Sequence, residues 1–164
     1  MSTVLVELII ILVLIIANGV FSMSETAIIS ARKARLEQHR DEGNHKAGVA
    51  LALANKPTNF LATVQIGITL IGILTGAVGG ATIANEIALR LSQIAALAPH
   101  SRALSFAIVV AVTTFLSLLI GELVPKALAL NNPERVAAAV APTMQVLATA
   151  VSPVVRLLDL CTRA

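Results

Sequence analysis

Leu8-Ile9-Ile10-Ile11-Leu12-Val13-Leu14-Ile15-Ile16-Ala17-Asn18-Gly19-Val20-Phe21-Ser22-Met23-Ser24 holds no charged residue and opens on an unbroken aliphatic run through Ala17. A helix needs about 20 mostly apolar residues to cross a hydrocarbon core of roughly 30 Å. With its flanks, this stretch predicts a spanning helix over about 4–31. Two further uncharged runs, Pro57 to Asn85 and Ala103 to Gly121, qualify by the same measure and predict spans over about 57–84 and 103–124. The fourth run, Val136 to Val155, is interrupted by Pro142, Thr143, Gln145 and Ser152. Val136, Val140, Met144, Leu147, Val151 and Val154 recur there at helical spacing, which leaves two readings, a fourth span or, the favoured one, an interfacial or juxtamembrane helix over about 134–160. The expected fold is an all-α membrane protein with three transmembrane helices plus juxtamembrane helices, the other juxtamembrane region covering about 32–56.

Composition agrees with lipid as solvent. Of 164 residues, 57% are hydrophobic and 13% charged, where a soluble domain carries about 25% charged residues; mean hydropathy is +0.88. A cleaved signal peptide needs a basic start, and Met1 to Leu14 has no Lys or Arg. The formal charge of +3 comes from cations beside the spans rather than from a nucleic-acid surface, and aromatics for base stacking amount to only 2%. Six of the twelve basic residues, Arg32, Lys33, Arg35, Arg40, Lys46 and Lys56, fall between the first and second runs, against Arg90 and Arg102 in the opposite loop. The positive-inside rule therefore puts the N-terminus outside a prokaryotic inner membrane and 32–56 in the cytoplasm.

That cytoplasmic segment is expected to be helical with a break near Gly43 and Asn44. His39 and His45 are six positions apart, unlike an i, i+4 ligand pair, and read as solvated. Cys161 is a single cysteine and excludes an internal disulfide. Pro57 suits the first turn of the second helix. Gly72, Gly76 and Gly80 repeat every fourth residue, a stripe for close helix packing or a dimer seam. Gln65 and Thr69 extend it toward the cytoplasm, where with Gly67 they are candidates for lining a cavity.

Ionisable groups inside spans are costly, about 2.5–3.5 kcal/mol at the centre on insertion scales. Glu25 and Glu122 are the two carboxylates in question. Asn18, Ser22 and Glu25 stand at i, i+4 and i+7 on one helix face, with Ser24 close by; the alternative reading of this polar stripe is interhelical hydrogen bonding. Near the inner end of the third span, Gly121-Glu122-Leu123-Val124-Pro125-Lys126 puts a proline four residues after Gly121, so the Gly121 carbonyl loses its helical donor. Hard cations prefer oxygen ligands, and Ser22, Gly121 and Glu122 form a candidate set. At about 1.5 Å per residue, Ser22 and Glu122 lie roughly 27 and 28 Å along their helices, at matching depth. The alternative reading of Glu122 is an i, i+4 pair with Lys126.

The run Asn18 to Ala27, the segment Pro57 to Leu70 and Gly121 to Lys126, in this order, resemble the transmembrane domain of the cyclin M/CorC family. The resemblance implies a homodimeric domain of three spanning helices plus juxtamembrane helices. It also implies that cytosolic CBS modules, absent from this chain, normally follow. It further implies Mg2+ efflux driven by Na+, with ligands at Ser22, Gly121 and Glu122. Magnesium-handling members carry asparagines after the glycine that matches Gly67, where this chain has Ile68. Bacterial members sharing Gln65-Ile66-Gly67 are linked to polyamine export.

Three function classes follow: an inorganic-cation transporter, an exporter of an organic cation such as a polyamine, and a membrane anchor or sensor serving cytosolic modules. No catalytic constellation is visible and no organic cofactor is expected, so an enzyme is not.

Overall fold

The computed structural model describes the backbone of residues 2–163 and the side chains of all of these except 2, 3, 80–82, 156, 158, 159, 162 and 163. The described residues are helical throughout, apart from short connections. Lipid dictates this, because a backbone N–H or C=O without a partner costs several kcal/mol there and a helix satisfies its own.

Helix α1, Ser2–Ser30, coincides with the first expected span. Arg32 is extended (φ −75°, ψ 115°) and leads into α2, Lys33–Asp41. Gly43 adopts φ 94°, a left-handed conformation that a Cβ would oppose. Asn44 then caps α3, His45–Asn55, its Oδ1 accepting from the backbone N–H groups of Lys46 (3.1 Å) and Ala47 (3.3 Å). The helix break expected at Gly43 and Asn44 therefore has a cap as its cause.

Helix α4, Pro57–Leu91, begins on its proline and outruns the expected end near residue 84 by two turns. A 3-10 turn at Ala98–His100 opens α5, Ser101–Leu118. A π turn, Leu119–Leu123, joins α5 without a break to α6, Val124–Asn131, so the third span also continues past its expected end at 124. Helix α7 is a single element, Pro133–Arg163, containing Pro142 and Pro153.

Helices α1 and α4 pack antiparallel. A Cβ at Gly67 would touch the Phe21 ring, and one at Gly79 would lie 3.4 Å from Ile11 Cδ1, which sets Ala31 level with the start of α4. Near that level lies a core in which alanines surround a few large side chains: Ala27 and Ile28 of α1, Leu36 of α2, Ala47 and Ala50 of α3, Phe60 and Val64 of α4, Ala129 of α6, and Ala137, Ala141 and Met144 of α7. Farther out, large apolar side chains face outward, with Ile73 64% and Phe115 63% exposed. Water would penalise such exposure by about 1.5–3 kcal/mol per side chain; hydrocarbon does not.

Four helical stretches are long and apolar enough to cross a membrane by length and composition: Val4–Ser30, Pro57–Leu91, Ala98–Asn131 and Pro133–Val155. That is one more than the three expected. The prolines and polar residues of the fourth run neither end the helix nor lower its average hydropathy below that of a span. The face read at helical spacing packs against the core in its first half. Ala137, Ala138, Ala141 and Met144 are buried, Val136, Val140 and Leu147 only partly so, and Val154 is exposed.

Candidate cation site

Pro125 determines the local geometry of the third span. A helical proline has no N–H to donate, and its ring collides with the carbonyl four residues back. The chain responds by widening the preceding turn, and the Val124 N–H reaches the Leu119 carbonyl five residues back. Such π turns insert one residue and re-aim the groups they carry; here these are the Gly121 carbonyl and the Glu122 side chain.

Helix α1 presses closely on this turn. A Cβ at Gly19 would lie 3.0 Å from Pro125 Cγ and 3.1 Å from the Ile120 carbonyl oxygen. From the other side, a Cβ at Gly121 would lie 3.1 Å from Asn18 Nδ2 and 3.2 Å from the Ile15 carbonyl oxygen. Backbone atoms on both sides leave little room to yield. Across this contact Asn18 Nδ2 donates to the Gly121 carbonyl at 3.1 Å. The Gly121 carbonyl, expected to be free, thus has a partner from α1. An oxygen with two lone pairs retains capacity for a second.

One turn inward from Asn18, Ser22 is 1% exposed, and its Oγ has no hydrogen-bond partner. A buried hydroxyl left unpaired costs about 1–3 kcal/mol. Its neighbour Ser24 is equally buried but donates to the Val20 carbonyl at 2.6 Å, closing its hydrogen bond within its own helix. Glu25 is half-buried.

Glu122 Oε1 accepts from Lys126 Nζ at 2.8 Å, the i, i+4 pair that sequence spacing allows, with both side chains about two-fifths exposed. Lys126 therefore holds the carboxylate in this conformation. Among the described residues no three His, Cys, Asp or Glu side chains cluster as a metal group. A cation here would take hydroxyl and carbonyl oxygens with one carboxylate, the donor set that hard ions accept.

The α4 candidates lie apart from this contact. Gln65 and Thr69 are exposed. A Cβ at Gly67 would lie 2.6 Å from the Phe21 ring, so that glycine seats an aromatic side chain and does not widen a cavity. Gly72 and Gly76 meet nothing within 4 Å in this chain, while the surroundings of Gly80 lie outside the described residues. Besides Gly67, Gly79 is seated in the bundle, against Ile11, Val109 and Thr113. Sequence reading missed Gly79 and also Gly19, although Gly19 adjoins Asn18. His39 pairs with Glu42 at 3.2 Å on the surface and His45 is exposed, as solvated histidines should be.

Residues 9–164 match the family described as the cyclin M transmembrane N-terminal domain. A UPF0053 protein of Synechocystis is 55% identical over 99% of this chain and 36% of its own length. A UPF0053 protein of Bacillus subtilis is 35% identical over 80% of this chain and 30% of its own length. A protein of Haemophilus influenzae named polyamine export protein is 30% identical over 91% of this chain and 34% of its own length. The chain spans about a third of the length of these relatives. With the family pattern running through α1, the π turn and α7 alike, this chain belongs to the cyclin M transmembrane-domain family.

Proposed function

We propose that this chain is the membrane-embedded part of a homodimeric cation transporter, not an enzyme, with Mg2+ as substrate and Na+ as coupling ion. The observation that carries this reading is the buried, unpartnered Ser22 hydroxyl on the α1 face that grips the Gly121 carbonyl beside Glu122. An unpaired oxygen in hydrocarbon is tolerated where a ligand completes it. Glu122 would supply the charge after leaving Lys126, with Asn18 keeping the carbonyl in place. Glu25 and Ser24 would stand behind this set.

A second reading, export of an organic cation, has its own support. Glu122 binds a primary ammonium, that of Lys126, at 2.8 Å, and a polyamine end group would offer the same chemistry. The relative from Haemophilus influenzae carries that activity in its name. Titration calorimetry with Mg2+, Na+ and cadaverine, on the parent and on Glu122→Gln, separates the readings. Mg2+ binding lost in the variant supports the first and cadaverine binding lost in the variant supports the second. Silence with all three ligands would leave an anchor or sensor role for cytosolic modules and sink both.

The proposed orientation has the N-terminus outside a bacterial inner membrane, α2 and α3 in the cytoplasm and three helices crossing. Helix α7 would lie along the inner surface. Its Glu134 accepts from the Arg32 N–H at the inner end of α1 (3.3 Å), and its Ser152 flanks Asn59 at the start of α4. Those two anchors are level, yet they are separated by roughly 27 Å of helix at 1.5 Å per residue. A helix crossing the bilayer would carry its ends to opposite faces.

A further inference from the structure

Between the α2–α3 turn and the first turn of α7 lies a cleft of about 430 Å³, lined by His39, Asn44, Lys46, Glu134, Arg135 and two alanines. Its anions are engaged elsewhere. Glu134 accepts from the Arg32 N–H, and Glu42 beside the cleft holds His39. Lys46 and Arg135 have no carboxylate within 4 Å among the described residues. The cleft thus presents two cations without a carboxylate partner and one carboxylate, Glu134, which keeps its charge.

A second feature continues from it. At 100° per residue, Arg135, Ala139, Pro142, Val146, Pro153, Leu157 and Leu160 fall on one face of α7. Beyond Arg135 that face is apolar apart from Thr149 at its edge, and it is unpartnered: Val146 and Leu160 are each 69% exposed and Leu157 61%. A cationic cleft opening onto an exposed apolar track has the two-part chemistry of a phospholipid.

We propose that this cleft binds the phosphate headgroup of an anionic phospholipid, with Lys46 and Arg135 as its cationic contacts and an acyl chain along the Ala139–Val146 face. Free phosphate would match the cations but leave the track uncovered. Basic pockets of cytoplasmic membrane surfaces recognise anionic headgroups by this charge complementarity. The site is independent of the cation site and of what is transported.

The test reconstitutes the 164-residue chain in phosphatidylcholine nanodiscs with and without phosphatidylglycerol and counts retained lipids by native mass spectrometry. The parent should retain phosphatidylglycerol preferentially. The double variant Lys46→Gln with Arg135→Gln should lose that preference on the order of tenfold, while Arg90→Gln in the opposite loop and the charge-keeping Arg135→Lys should retain it. Equal preference in the double variant and the parent overturns the proposal. So does equal competition by millimolar inorganic phosphate, which would make the cleft a site for the free anion. Loss of preference in Arg90→Gln would reduce the effect to net charge and overturn it as well.

Discussion

Asn18 and Gly121, 103 positions apart in sequence, are joined by a 3.1 Å hydrogen bond from the Asn18 amide to the Gly121 carbonyl. The bond fastens α1 to the π turn at the point where Pro125 removed the helical donor. Asn18→Leu keeps approximate size and removes the donor, leaving a buried carbonyl with one fewer partner at a cost of about 1–3 kcal/mol. Thermal unfolding in detergent should shift down by several degrees. Cation affinity should fall as well, because the carbonyl is no longer aimed. An unchanged transition with unchanged binding would mean that the bond positions nothing.

Lys126 is the internal competitor for Glu122. If a cation must displace it, Lys126→Met should raise affinity for the transported cation several-fold, while Glu122→Gln abolishes binding and leaves the particle size in detergent normal. Ser22→Ala removes one neutral ligand and should weaken binding less than Glu122→Gln. It should also relieve the unpaired hydroxyl and so leave stability equal or higher. Parental binding and transport by Glu122→Gln would reduce Glu122 to a partner of Lys126, a pair worth about 0.2–1 kcal/mol when exposed to water.

Glycines on two helices should respond differently. Gly19→Val meets Pro125 and the Ile120 carbonyl and forces α1 off the π turn, with a cost of about 1–3 kcal/mol for overpacking. A Cβ at Gly76 meets nothing within 4 Å in its own chain and the position is exposed, so the Gly76→Leu monomer should fold normally. If the open stripe is the seam between two copies, its detergent particle should fall toward monomer mass. A parental mass for Gly76→Leu would move the seam elsewhere.

Cys161, exposed near the end of α7, reports the topology without mutation. With α7 on the inner surface, an impermeant thiol reagent added to intact cells should leave it unmodified, as it should a cysteine placed at His45 in a Cys161→Ser background. Labelling of Cys161 with protection at position 45 would make α7 a fourth span. Labelling at position 45 would invert the proposed orientation.

Much of the fold was legible because hydropathy and chain punctuation are local. The uncharged runs located α1, α4 and the α5–α6 stretch, Pro57 marked a start, Gly43 and Asn44 marked a helix break, and Pro125 announced disrupted hydrogen bonding. Helix ends were less legible. The continuation of α4 to Leu91 and of α6 to Asn131 crosses charged residues, and a hydropathy boundary stops at charges whereas a helix does not.

By itself the sequence determined which segments are helical and lipid-compatible, where the cations gather, and that Ser22, Gly121 and Glu122 can share one depth, since each depends on residue type and spacing along one chain. Tertiary structure alone decided which partners meet. Asn18 takes the Gly121 carbonyl, Phe21 fills Gly67, Gly19 and Gly79 are seated while Gly72 and Gly76 are open, and Ser22 is left without a partner. These outcomes follow from how α1 is rotated and offset against the π turn and α4. That rotation and offset arise from packing among helices distant in sequence, and no single segment encodes them.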